Sequence, residues 1–244
     1  MKKTELWTCK YGTRIGTRHK EMDLLCQDRV NYKVLDNRQI IGLVDGSGDT
    51  DLNVIAGEKV VDVMTNFILE HYDKCMEWSR KAINEELLYI IRRELEKISG
   101  RFGIPCCELK STIAVVCIDH ERDSYCAVHL GDGIIIGIEE GNVPIPISYP
   151  RNGYTRNETY LTTSEEAVKK MKVFRGRLGD MQGFMMCSDG VYEDEIDEKK
   201  VWKICEEMEQ FRLYGDEKED DQAVIVLRKG NLNVGFEREG ALGV

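Results

Sequence analysis

The chain is poor in proline: only four occur in 244 residues, three of them between positions 144 and 150. Nearly all of it is therefore free to form regular structure, and the proline cluster reads as a loop. Nine cysteines are present but no C-x-x-C pair, and there are only four histidines, so the spacing yields no zinc-type ligand set. Cys106 and Cys107 are adjacent, while Cys117, Cys126, Cys187 and Cys205 sit inside apolar runs. Buried, reduced thiols of a cytoplasmic protein account for that pattern. Excess positive charge is also missing. The net charge of −10 argues against nucleic-acid or anionic-membrane binding, which needs clustered Lys and Arg. It leaves phosphorylated substrates open, because bound divalent cations reverse the local sign. Met1-Lys2-Lys3 is followed by Thr4-Glu5 rather than an apolar segment, and no run is long enough to span a bilayer. No signal peptide and no membrane anchor are expected.

What is present suits a globular chain with a substantial core: 42% of residues are hydrophobic and 32% charged. No repeat or low-complexity tract divides it. Residues 1–228 read as one domain and 229–244 as a Gly-rich, loosely held tail. Strands are expected over residues 28–34 and 39–44, around the turn Leu35-Asp36-Asn37-Arg38. Val60, Val63, Met64, Phe67 and Ile68 recur at helical spacing and predict a helix within 53–72. Leu88, Ile91, Leu95 and Ile98 predict another over 84–98, closed by Ser99-Gly100. Strands return at 113–118, 125–130 and 134–138, the last two forming a hairpin across Gly131-Asp132-Gly133. The stretch 139–180 is mixed and polar, with a helix-like piece at 165–171. A strand at 184–187, a helix near 197–211 and a strand at Gln222–Arg228 complete the pattern. Helices segregated from strands predict an α+β fold. Strands apolar on both faces suit two sheets packed on each other, with helices outside.

Acidic residues recur where the apolar runs break. Asp45-Gly46 follows Ile40-Ile41-Gly42-Leu43-Val44, Asp189-Gly190 follows the run ending in Cys187-Ser188, and Asp220-Asp221 precedes Ala223-Val224-Ile225-Val226-Leu227. A single Asp-Gly is ordinarily a turn. Three such sites, with a fourth at Gly131-Asp132-Gly133, point to an oxygen-rich cage for Mg²⁺ or Mn²⁺ held on rigid strand ends. Of the pair Asp220-Asp221, Asp221 is preferred because it stands closer to the strand.

Taken in order, Val44-Asp45-Gly46-Ser47-Gly48, Lys110-Ser111-Thr112-Ile113-Ala114, Gly131-Asp132-Gly133, Cys187-Ser188-Asp189-Gly190-Val191 and Asp220-Asp221-Gln222-Ala223-Val224 resemble the PP2C metal-dependent Ser/Thr protein phosphatases. The opening Gly16-Thr17-Arg18-His19 and Cys26-Gln27-Asp28 looks like the start of a bacterial branch. The resemblance spans roughly residues 12–228. It implies a four-layer α-β-β-α sandwich of two mostly antiparallel sheets with a metal centre at one edge. It implies that Asp45 bridges two metals, that the Gly46 carbonyl binds one, and that Asp189 and Asp221 complete the other. Asp28 would organise water on a metal or ligate directly, and Asp132 and Glu193 would help to hold a third, weaker ion. The implied reaction is attack on phosphoserine or phosphothreonine by a water shared between two Mn²⁺ or Mg²⁺ ions. Phosphorylated proteins and a cognate Ser/Thr kinase are the implied partners, and the chain is expected to act as a cytoplasmic monomer.

Several positions depart from the family pattern. Gln27 replaces a metal-binding Glu, which predicts a weaker second metal. Ser47 stands where animal members carry a His proposed as general acid. Gln222 replaces the Asn after the last Asp. The phosphate-binding Arg has no clear counterpart: Arg18 is the nearest candidate, and His19 could orient substrate or serve the scaffold. The His71 and His120 side chains are expected at the surface and His129 in the packing. Two alternatives remain at this level. One is a catalytically weak or inactive PP2C-like regulatory or binding module. The other is a two-metal nuclease, which the net charge disfavours.

Overall fold

The computed structural model describes residues 6–150, 159–192, 198–209 and 218–230. The chain opens with β1 (Thr8–Arg14), a short helix α1 (Thr17–Glu21) and the hairpin β2 (Arg29–Leu35) and β3 (Arg38–Val44). A two-residue strand β4 (Gly46–Ser47) leads into α2 (Leu52–Glu70), α3 (Tyr72–Glu77) and α4 (Arg80–Phe102). Then come β5 (Lys110–Ser111), β6 (Ile113–Asp119), β7 (Ser124–Leu130), β8 (Ile134–Glu139) and β9 (Val143–Ser148). The remainder is α5 (Ala167–Lys170), β10 (Lys172–Arg177), β11 (Met181–Cys187), α6 (Glu198–Glu209) and β12 (Gln222–Arg228).

Two five-stranded antiparallel sheets result. One has the order β1-β12-β11-β8-β9 and the other β10-β7-β6-β3-β2, while β4 and β5 form a small separate pair. Side chains alternate across each strand, and here both faces are covered. Ile113, Val115 and Cys117 of β6 pack with Val60, Met64, Ile68, Leu88, Ile91 and Leu95 of α2 and α4. The intervening Ala114, Val116 and Ile118 meet Phe184, Met186, Ala223, Ile225 and Leu227 of the opposite sheet. On the far side Ile134, Ile136, Met185, Val224 and Val226 pack with Val201 and Ile204 of α6. The order helix, sheet, sheet, helix is the expected α+β sandwich. Burying each of the Val, Leu, Ile, Met and Phe side chains among them contributes about 1.5–3 kcal/mol, so the layers are held by apolar area on every strand face.

Four expectations need correction. The strands β7 and β8 do not form a hairpin: β7 lies in one sheet beside β6 and β10, and β8 in the other beside β11 and β9. Gly131-Asp132-Gly133 therefore carries the chain across the sandwich. Gly131 has φ 118°, and a Cβ there would stand 2.6 Å from Thr112 Cγ2, so only glycine makes the crossing. Two of the three clustered prolines lie not in a loop but in the edge strand β9, where Pro144 and Pro146 are tolerated because one side of the strand needs no ladder donor. The helix expected to stop at Ser99-Gly100 runs to Phe102. It ends where Gly103 turns left-handed at φ 69° and its N–H returns to the Ser99 carbonyl at 2.8 Å. His120 is not a surface ring: it packs edge-on against Trp7 and lies 2.8 Å from Gln39 Oε1. His129 is buried, with Nδ1 2.7 Å from Ser148 Oγ, and burial beside Lys172 pushes its pKa down to about 3.

Candidate metal centre

The C-terminal ends of β3 and β11, the N-terminal end of β12 and the β7–β8 crossing all reach the same edge of the sandwich. Each ends in an acidic residue: Asp45, Asp189, Asp220 and Asp132. A carboxylate oxygen from each of Asp45, Asp132 and Asp189 lies within 4.8 Å of the others. With Asp220 they line a polar cleft of about 250 Å³, whose walls include Gly46, Ser47, Lys110 and Thr112. The backbone around Asp45 is held rigidly. Its N–H donates to Thr112 Oγ1 at 3.0 Å, and its carbonyl accepts from the Thr112 N–H at 2.9 Å.

One wall is a segment tied to α4. Arg92 donates to the carbonyls of Thr162 at 2.9 Å and Ser164 at 2.7 Å, and Asn84 donates to those of Val168 at 2.8 Å and Met171 at 2.7 Å. The Thr162 N–H in turn donates to the Ser111 carbonyl at 2.9 Å. This anchoring presents Thr159 to the cleft, where its hydroxyl donates to Asp132 Oδ2.

Crowded carboxylates withdrawn from water resist ionisation. Burial, reinforced by Asp28, Asp189 and Asp132, pushes the Asp45 carboxyl well above its usual range. Burial, then Asp132 and Asp220, raises Asp189 to about 6 even though it hydrogen-bonds Asp45. Asp132 and Asp220 are raised as well, chiefly by burial. Asp189 Oδ1 and Asp28 Oδ1 are buried without a hydrogen-bond partner among the described residues. Buried acceptors left without donors, converging hard oxygens and mutual repulsion are what a divalent cation would relieve, so the donor set fits Mg²⁺ or Mn²⁺.

The structure separates the two members of the Asp220-Asp221 pair. Asp221 is 3% exposed and turns away from the cleft. Its Oδ1 accepts from the Gly16 N–H at 2.7 Å, and its Oδ2 from the Gln27 N–H at 2.6 Å, with His19 Nδ1 at 2.8 Å. Asp220 faces the cleft instead. The available signal was the doublet itself: if Asp221 takes the position of the family's Asn, Asp220 is the acidic member. Asp28 lies fully buried beneath the cluster, accepting from Ser188 Oγ at 2.7 Å, while Ser188 Oγ accepts from the Ala223 N–H at 2.8 Å. Burial raises Asp28 well above the carboxylate range, with Asp221, Asp220 and Asp189 adding to the effect. Gln27 spends its side-chain amide on the carbonyls of Gly48 at 2.8 Å and Thr50 at 3.3 Å. Glu193 lies outside the described residues.

Two cationic side chains line the cleft. Arg18 stands at the mouth, over half exposed, with its guanidinium 2.9 Å from Asp49 Oδ1. Lys110 comes from β5 and was not singled out by the sequence reading, which treated its segment only as a strand motif. His19 borders the same space but is 6% exposed and bonded to Asp221.

Two facing antiparallel sheets, helices on both outer faces and a carboxylate cleft at one edge define the class of this protein. The model of the family "Protein phosphatase 2C" matches residues 15–227, and the chain belongs to that family. No curated protein matches the sequence significantly. Among solved structures, RsbX in complex with magnesium is 14% identical with a TM-score of 0.62, over 93% of this chain and 97% of that one. A bacterial serine phosphatase is 15% identical with a TM-score of 0.62, over 92% and 99%. The serine/threonine phosphatase Stp1 from Staphylococcus aureus is 15% identical with a TM-score of 0.61, over 95% and 98%. At these identities the structures share the fold.

Proposed function

We propose that this chain is a Mn²⁺- or Mg²⁺-dependent protein phosphatase acting on phosphoserine and phosphothreonine. The observation that carries the reading is the convergence of Asp45, Asp132 and Asp189 oxygens within 4.8 Å in a cleft that Asp220 completes. Asp45, the Gly46 carbonyl, Asp189 and Asp220 would hold two cations, and Asp132 with Glu193 a third, weaker one. When bound, such ions lower the pKa of water and offset the charge developing on a phosphoryl group. The chain's own residues supply rigidity and polarity. Thr112 fixes the backbone of Asp45, Thr159 aims Asp132, and Ser188 holds Asp28 beneath the site. Asp221 clamps α1 and the segment at Gln27 against the strand that delivers Asp220. Ser47 offers a hydroxyl at the mouth where an imidazole is absent. A catalytically silent binding module would have no use for four mutually repelling carboxylates, which disfavours that alternative.

Phosphoproteins and the kinase that modifies them are the proposed partners, with the chain acting as a cytoplasmic monomer. Among the described residues no helix is long and apolar enough to cross a membrane. The test is turnover of an aryl phosphate and a phosphothreonine peptide after chelation, then with each metal restored. Activity should vanish in chelator and return with Mn²⁺ or Mg²⁺ more than with Zn²⁺. Full activity in excess chelator would end the reading.

A further inference from the structure

The charge of the cleft poses a question that the metal ligands do not answer. Asp45, Asp132, Asp189 and Asp220 line it, and two divalent cations would bring these four carboxylates close to neutrality. A phosphate monoester arrives as a dianion. It needs a further positive group, or it enters a carboxylate-lined cleft with its charge uncompensated. Arg18 is the cation suggested by sequence order, but its guanidinium is engaged with Asp49 and stands over half exposed at the mouth. Asp49 offsets its charge there, and solvent at the mouth screens what remains.

Lys110 differs on each count. It lies in β5, paired with Ser47 of β4, directly beside the Asp45-Gly46 turn. Lys110 and Thr112 both line the cleft, on either side of Ser111, which is buried. Thr112 bonds the Asp45 N–H and Ile113 begins β6 and enters the core against the helices, so Lys110 stands in the cleft wall beside the carboxylate cluster. Its side chain is partly buried, and among the described residues it has no hydrogen-bond or ion-pair partner. A flexible ammonium with three donors and no internal partner is suited to follow phosphoryl oxygens.

We infer that Lys110 is the substrate-anchoring cation of this cleft and receives the phosphate of the phosphorylated side chain. The inference rests on the phosphatase reading above and adds the residue that discriminates a phosphate from an uncharged ester. Inorganic phosphate, as the product, should use the same contact.

The test compares wild type, Lys110→Ala, Lys110→Arg and Lys110→Glu in two assays. In the first, steady-state kinetics with Mn²⁺ use a phosphothreonine peptide, with inorganic phosphate as inhibitor. Lys110→Ala should raise KM and the phosphate inhibition constant about tenfold, with the greater part of the loss in KM. Lys110→Arg should recover much of it, and Lys110→Glu should be worse than Ala. In the second, calorimetry measures inorganic phosphate binding to the Mn²⁺-loaded proteins without turnover, and Lys110→Ala should weaken it about tenfold. Equal phosphate affinity in wild type and Lys110→Ala, or no binding by wild type, would overturn the inference. Absence of Mn²⁺-dependent turnover in wild type would instead remove the phosphatase reading, and the calorimetry would still decide the role of Lys110. Circular dichroism on each variant confirms the fold; β5 has only two residues, and Lys110→Arg keeps the charge if Ala perturbs it.

Discussion

His19 Nδ1 lies 2.8 Å from Asp221 Oδ2, beneath the cleft, with both side chains less than a tenth exposed. The same carboxylate receives the N–H groups of Gly16 and Gln27, so Asp221 ties the N-terminal segment to the last strand. Its neighbour Asp220 has a different task, and the two can be separated by mutation. Asp221→Asn should destabilise the fold by about 1–3 kcal/mol, because an amide cannot accept from three donors. Asp220→Asn should leave the unfolding midpoint in chelator unchanged or higher while raising the Mn²⁺ needed for half-maximal turnover. Denaturant unfolding and metal titration of both variants check this. The reverse pattern would return Asp221 to the metal shell.

Asp45→Asn and Asp189→Asn each delete a cation-holding charge at nearly constant volume. Turnover should fall by roughly a hundredfold or more in each. In chelator both variants should unfold at a higher temperature than wild type, since a repelling carboxylate has been removed. Calorimetric melting beside kinetics distinguishes this outcome from misfolding, which would lower both.

The pH dependence of the metal-free fold follows from the raised carboxyls. Burial lifts Asp45, Asp28, Asp132 and Asp220 above their unfolded value, and Asp189 to about 6. The unfolded value is about 3.9. A raised folded pKa contributes stability that is fully present below the unfolded pKa and is lost as pH rises through the folded one. In chelator the melting temperature should therefore decline from pH 5 to pH 8. With saturating Mn²⁺ the decline should disappear, because the cation stabilises the ionised form and its binding releases protons. Melting curves across that range, with and without Mn²⁺, are the measurement. A flat profile in chelator would contradict the electrostatic account.

Gln27 changes its expected role once its contacts are known. Sequence comparison suggests that Gln27→Glu would restore a metal ligand. In the fold its amide donates to the carbonyls of Gly48 and Thr50, and the side chain is fully buried. A carboxylate there would face two acceptors with no donor between them. Gln27→Glu should cost about 1–3 kcal/mol of stability and should not lower the Mn²⁺ requirement. A tighter metal response with unchanged melting would show that the side chain reorients into the cleft.

The central strands were legible from the sequence because both of their faces are apolar. Ile113 to Ile118 and Ala223 to Leu227 carry their burial in their composition, and the helical stripes of Val60, Met64 and Ile68 do the same. Three of the four sheet edges were missed: β1, β9 and β10. Edge strands lie partly in solvent, so Thr8–Arg14 and Lys172–Arg177 are polar, and in Val143–Ser148 the alternation of Val143, Ile145 and Ile147 is interrupted by Pro144 and Pro146, which read as a loop. The acidic residues of the cleft also announced themselves, each at the end of an apolar run, since a strand end is a rigid place to hold a charge. Their division of labour did not. Whether β7 pairs with β8 or leaves its sheet, whether Asp220 or Asp221 turns to the cleft, and whether Arg18 or Lys110 stands free within it depend on contacts between residues far apart in the chain. The pairing of Gly16, His19 and Gln27 with Asp221 spans about two hundred residues, and only the packed sandwich brings those donors to one carboxylate and leaves the adjacent one facing the cleft.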